Sequence, residues 1–158
     1  GAVPISLLRE LVRHKNPSIR YQAALLMGYV PDSIAQVKEL CKDADGMVRL
    51  SAAVSLNRLG SDACHKVFAE SLKDPDFGVR SSAARILGTT PLPDRARLLA
   101  TALQDSNSRV RTAAVRAAGM MGGAEAFPLL AQMLDDSVEA IRAYAAGSLI
   151  KLMKTKAK

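Results

Sequence analysis

An arginine preceded by isoleucine or valine recurs at nearly constant spacing along this chain. The five are Arg20, Arg49, Arg80, Arg111 and Arg142, separated by 29, 31, 31 and 31 residues. A period in this range marks stacked helical hairpins, each of which can bury its apolar stripe only on its neighbours. Composition agrees with such a stack. Apolar residues make up 49% of the chain but aromatics only 4%, with no Trp. The core therefore has to be built from Ala, Leu, Val, Ile and Met, side chains small enough for helices to approach closely.

Counting from each arginine as position 0, position −1 holds Ile19, Val48, Val79, Val110 and Ile141, and +3 is always alanine (Ala23, Ala52, Ala83, Ala114, Ala145). Position +4 holds Ala24, Ala53, Ala84, Val115 and Ala146, and +7 holds Met27, Leu56, Leu87, Ala118 and Leu149. At about 100° per residue these fall on one helix face. Position −4 is Asn16, Asp45, Asp76 or Asn107, side chains that accept hydrogen bonds from first-turn amides, and Pro17 fits the first helical position. In the fifth repeat, Asp136 and Glu139 read as a capping box. Pro31, Gly60, Pro91 and Gly122 at +11 predict the helix ends. A shorter helix precedes each arginine-bearing one, with Asp32, Asp62 and Asp94 placed to cap it. Its apolar positions include Leu8 and Val12, Val37 and Leu40, Val67 and Phe68, Leu98 and Leu99, and Leu129, Leu130 and Leu134.

The pattern D-x-[DN]-x-x-V-R-x-x-A-A, followed by Gly28, Gly88 and Gly119 at +8, resembles HEAT repeats, in particular the short bacterial and archaeal subtype named for phycobilisome lyases. Local departures are Asn57 at +8 and Val115 at +4. The resemblance implies an all-α, right-handed α-α superhelix, a solenoid of five HEAT-like hairpins. One domain is expected over 4–153, with repeats near 4–30, 31–60, 61–91, 92–122 and 123–153 and a basic tail over 154–158. It also implies that the arginine-bearing helices line a concave face. Arg20, Arg49, Arg80, Arg111 and Arg142 would then pair with the turn residues Asp43, Asp74, Asp105 and Asp136 as a structural ladder. The subtype's name invites a further reading, an accessory subunit of a bilin-lyase-like enzyme, although a repeat carries no activity by itself.

Opposite the apolar stripe the helical wheel places +1, +2, +5 and +9. The candidate partner-binding residues there are Tyr21, Gln22, Leu25 and Tyr29; Leu50, Val54 and Arg58; Ser81 and Arg85; Thr112, Arg116 and Met120; and Tyr144 and Lys151. All three tyrosines fall in this set, beside outward apolar residues and four cations without a carboxylate. Tyr, apolar and Arg side chains together are what protein interfaces use at their centres. With 22 basic against 15 acidic residues and a net charge of +7, the expected partner is a protein with an acidic or mixed acidic-apolar surface. The alternative partner is nucleic acid, through Arg109, Arg111 and Arg116 and through Lys151, Lys154, Lys156 and Lys158.

Catalysis is not expected. His14 and His65 are far apart in sequence, no His-Glu pair, Gly-rich phosphate loop or nucleophile elbow is present, and neither a metal nor a cofactor is expected. No run of 18 apolar residues would span a membrane. Cys41 and Cys64 show no zinc spacing. Their registers, 8 and 16 residues before the following arginine, put them about 12 Å apart on parallel helices, too far to bridge. Free thiols and a cytoplasmic setting are expected from that. The start Gly-Ala-Val-Pro-Ile reads as a trimmed piece of a longer chain, and Leu7 and Leu8 as a face on which a preceding repeat could stack.

Overall fold

The computed structural model describes residues 4–156. Among them are ten α-helices, two short 3-10 segments and no strand. The helices are α1 (Ile5–Leu11), α2 (Pro17–Met27), α3 (Ile34–Leu40), α4 (Gly46–Arg58), α5 (Lys66–Ser71), α6 (Phe77–Leu87), α7 (Arg95–Leu103), α8 (Ser108–Met121), α9 (Gly123–Ala131) and α10 (Glu139–Lys156). The described chain forms two compact units that divide after Ser71. In the first, α2 lies against α4, and α4 also packs on α3 and α5. In the second, α8 lies between α6 and α10, with α7 and α9 packed behind.

The alanine column explains this closeness. Ala23, Ala52, Ala83, Ala114 and Ala145 are all at most 1% exposed. At +8 even a methyl group is excluded. A Cβ on Gly28 would lie 2.8 Å from the Ser55 Cβ, one on Gly88 would lie 3.0 Å from the Ala117 Cα, and one on Gly119 would collide with the Ser148 hydroxyl. Position +8 of one arginine-bearing helix thus meets +6 of the next. Ser55 reinforces the contact by donating to the Ala24 carbonyl at 2.8 Å.

Four of these helices begin as the sequence predicts. Asn16, Asp45, Asp76 and Asn107 accept from the amides of Ser18, Val48, Gly78 and Arg109 at 2.9, 3.0, 2.7 and 2.9 Å. The expected capping box in the fifth does not form. Asp136 accepts instead from the Val138 amide, two residues on, which is the turn that Asp43 and Asp105 make with Asp45 and Asn107. Asp136 is therefore the loop residue at −6. Two of the caps expected on the shorter helices are also corrected. Asp32 lies inside the 3-10 segment Pro31–Ser33. Asp94 makes no cap bond and pairs with Arg97. Leu134, expected in the core, is 41% exposed, and Met133 is buried instead because the chain tightens into a 3-10 turn there.

The expectation of free thiols is overturned. Cys41 and Cys64 form a disulfide with Cα atoms 6.2 Å apart. An axial separation of about 12 Å holds only for residues that both lie within helices. Cys41 is the residue on which α3 ends, while Cys64 lies in the turn ahead of α5, so its position is not set by helix register. With the bridge in place, the cysteines no longer argue for a reducing compartment.

Candidate functional site

Each repeat arginine is held by its own loop before it reaches anything else. The Nη1 groups of Arg20, Arg49, Arg80, Arg111 and Arg142 donate to the carbonyls at −6, those of His14, Asp43, Asp74, Asp105 and Asp136, at 2.8–2.9 Å. They donate again to the carbonyls at −5. The other edge of the guanidinium forks onto the aspartate of the following loop. Nε and Nη2 meet the Asp43 carboxylate from Arg20 (2.8 and 2.8 Å), Asp105 from Arg80 (2.7 and 3.2 Å) and Asp136 from Arg111 (2.7 and 3.1 Å).

These pairs shift the carboxyls. For Asp105 and Asp136 the hydrogen bonds from Arg80 and Arg111 lead, and against some desolvation they hold the carboxyl below its ordinary value. For Asp43 the largest influence is burial, which pushes the value up. The Arg20 hydrogen bond, the Asp45 amide and the charges of Arg20 and Arg49 together outweigh it, so the net direction is down. The −6 residue of the first hairpin is His14, whose Nδ1 accepts from the Asn16 amide at 3.0 Å. Extending the column comparison to −6 would have found it in the sequence.

The outward row is narrower than the helical wheel suggests. At +1, Leu50 is fully buried, Tyr21, Ser81 and Thr112 are half-buried, and Ser51 at +2 is buried as well. Position +1 lies only about 20° around the helix from +8, the position that packs on the neighbouring helix. Leu50 is thus a core residue and not part of an exposed face. Positions +5 and +9 remain. All five +9 residues (Tyr29, Arg58, Thr89, Met120, Lys151) are exposed, as are Arg85, Arg116 and Gly147 at +5, while Leu25 and Val54 are half-buried. Gln22 and Tyr144 at +2 are exposed where their helix has less cover.

In the first unit the Arg58 guanidinium lies 4.3 Å over the Tyr29 ring. Tyr21 and Gln22 line a separate depression with Pro17, Ser18, Asp45 and Met47. In the second unit Arg116 lies 4.4 Å over the Tyr144 ring. There an open depression of about 390 Å³ is lined by Arg85, Arg116, Gly119, Met120, Ser148 and Lys151. Three cations and an exposed methionine share it, and no carboxylate lines it. The close approach of α8 and α10 at Gly119 and Ser148 forms part of its wall.

Two of the cations assigned to the nucleic-acid alternative are engaged elsewhere. Arg111 is in the ladder, and Arg109 lies 5.7 Å over the Phe77 ring. A further depression, not signalled by the sequence, lies between α1 and α3. It is lined by Arg9, Val12, Arg13, Ala35, Gln36, Glu39 and Leu40, and the Gln36 Oε1 is buried there without a hydrogen-bond partner. Among the described residues no three His, Cys, Asp or Glu side chains cluster as metal ligands. Among them, too, no helix is long and apolar enough to cross a membrane.

Repeated helix pairs, glycine-tight contacts and the arginine–aspartate forks define an α-helical repeat protein. The family model for HEAT repeats matches residues 5–69 and 65–150, and the chain belongs to that family. Among solved structures it is similar to the complex of CpcE and CpcF of phycocyanin lyase from Nostoc sp. PCC7120, at 22% identity and a TM-score of 0.66, covering 98% of this chain and 66% of that one. It is also similar to Cex1p, at 16% identity and a TM-score of 0.61, covering 96% of this chain and 36% of that one. At these identities the likeness is one of fold. No curated protein is significantly similar in sequence.

Proposed function

We propose that this chain is a non-catalytic protein-interaction module that binds an acidic, partly apolar segment of a partner protein. The observation that carries the reading is the depression in the second unit. There Arg85, Arg116 and Lys151 line the same depression as Met120, without a carboxylate among the lining residues. Unneutralised cations raise the rate of encounter with an acidic segment, and the exposed Met120 offers it apolar contact. The stacking of Arg116 on Tyr144 holds one of these cations in place. A structural neighbour that is itself part of a two-protein complex supports a protein as the partner. Its lyase activity is not carried over, because a shared fold at this identity transfers no chemistry.

The test is selection of displayed random peptides on the wild-type chain. Selected sequences are expected to combine Asp or Glu with Leu, Met or Phe. The double variant R85E/R116E should bind them at least ten-fold more weakly with an unchanged helical circular dichroism spectrum. Peptides without acidic residues, or equal binding by the variant, would refute the assignment. A single-stranded DNA oligonucleotide serves as the competing probe. Retention well above ~0.2 M salt would favour nucleic acid instead.

A further inference from the structure

In the register of the repeats, position −13 holds Leu7, Gln36, Val67, Leu98 and Leu129, and Gln36 is the single polar residue in that column. Val67, Leu98 and Leu129 are buried, at most 8% exposed. Gln36 is half-buried, and its Oε1 is closed off from solvent without a hydrogen-bond partner. A buried acceptor without a donor is a net cost to folding, and an aliphatic side chain of similar size would remove that cost. The packing of the shorter helices differs where the glutamine stands. α7 and α9, which carry Leu98 and Leu129, pack on each other. Between α1 and α3 lies instead an open depression of about 520 Å³. At −11, where α7 carries Ala100, α1 carries Arg9.

The two walls of this depression differ in hydrogen-bonding character. α1 contributes the guanidinium groups of Arg9 and Arg13, one helical turn apart, and α3 contributes the Gln36 amide and the Glu39 carboxylate. Val12 and Leu40, both buried, add apolar lining. Among the described residues neither guanidinium nor the Glu39 carboxylate has an ion-pair partner. We propose that the depression binds a short zwitterionic peptide with apolar side chains. Its carboxylate sits on Arg9 and Arg13, its ammonium on Glu39 and the Gln36 oxygen, and its side chains on Val12 and Leu40. Charge selects this occupant. A simple anion meets Glu39 and leaves the Gln36 oxygen without a donor, and a simple cation meets two guanidinium groups. A zwitterion satisfies both walls. An ammonium has three donors, enough for Glu39 and Gln36 together, and a carboxylate can accept from both arginines. Gln36 itself lines the depression, so a turn of its side-chain amide presents the oxygen to the occupant. The volume suits a dipeptide. This site lies in the first unit and does not depend on the acidic-segment depression of the second.

The probe is the dipeptide Leu-Leu, titrated into the wild-type chain by isothermal calorimetry. Acetyl-Leu-Leu-amide, which carries neither end charge, is its control. Leu-Leu is expected to bind at one site, at least ten-fold more tightly than the capped form. The double variant R9Q/R13Q should weaken it at least ten-fold and E39Q at least three-fold, both with an unchanged Tm. Q36L separates ligand binding from packing. Leucine restores the aliphatic column, so this variant should raise Tm by about 2–5 °C while weakening Leu-Leu at least ten-fold. Free leucine distinguishes the source of the zwitterion. Binding as tight as that of Leu-Leu would name a free amino acid, and binding at least ten-fold weaker would name a peptide. No binding of Leu-Leu, equal binding of the capped form, or full affinity in Q36L would each overturn the proposal. A lower Tm in Q36L would overturn it as well, because Gln36 would then be serving the packing of the hairpins.

Discussion

Removing Arg80 tests whether the repeat arginines hold the fold together or serve as a cationic binding stripe. In Arg80→Ala two charge-assisted hydrogen bonds to Asp105 are lost along with the two to the Asp74 and Pro75 carbonyls. The pair is largely screened from solvent, with side-chain exposures of 17% and 8%. It therefore lies between an exposed pair, at about 0–1 kcal/mol, and a buried one, whose rupture costs about 3–5 kcal/mol. A loss of about 2–3 kcal/mol is expected, and at this chain length that lowers Tm by about 5–10 °C. Asp105→Ala should cost at least as much, since the Asn107 amide also loses its acceptor. Thermal melts of the two single variants and the double variant close a cycle with a coupling of about 1–2 kcal/mol. A Tm within about 1 °C of wild type for Arg80→Ala, or strictly additive losses, would refute the structural reading.

The lowered carboxyl values of Asp43, Asp105 and Asp136 mean that their stabilisation is complete above the unfolded value near ~4 and lost as pH falls through the folded values. Tm should be flat from neutral pH to about 5 and drop below about 4, with a shallower acid limb in Arg80→Ala; parallel acid limbs would count against the pairs. Reducing the Cys41–Cys64 bridge, which closes a sequence separation of 23, should cost about 3 kcal/mol. Hydrogen exchange should place that loss in residues 4–71, and unchanged protection there on reduction would contradict it. Gly119→Ala should destabilise by about 1–3 kcal/mol by pressing on Ser148, and a second change, Ser148→Gly, should recover most of it. Leu50→Ala should cost about 2–5 kcal/mol in chemical denaturation because Leu50 is fully buried; a cost below about 1 kcal/mol would return it to the surface.

The helical-repeat architecture was legible because one constraint is written five times. A buried stripe of Ala and Val, a −4 cap and the repeat arginine each recur in register, so a local departure such as Val115 does not obscure the pattern. The outward face was legible only in part. A helical wheel describes an isolated helix, and it gave +1 the same standing as +5. Position +1 lies close around the helix to +8, a packed position, whereas +5 and +9 face outward, so Leu50 is core while Arg85, Arg116 and Lys151 share a depression. The disulfide was missed for a related reason. Register counting assumes a helix, and Cys64 sits in a turn whose path is set by packing that no local pattern records.

Because each arginine grips its loop through backbone carbonyls, the side chain at −5 takes no part in the grip. Lys15, Ala44, Pro75, Ser106 and Ser137 occupy that place, a varied set of chemistries on one scaffold. The loop tips are thus a writable margin of the molecule. Charge, a fluorophore or a tether can be installed there without disturbing either the forks or the helices they join.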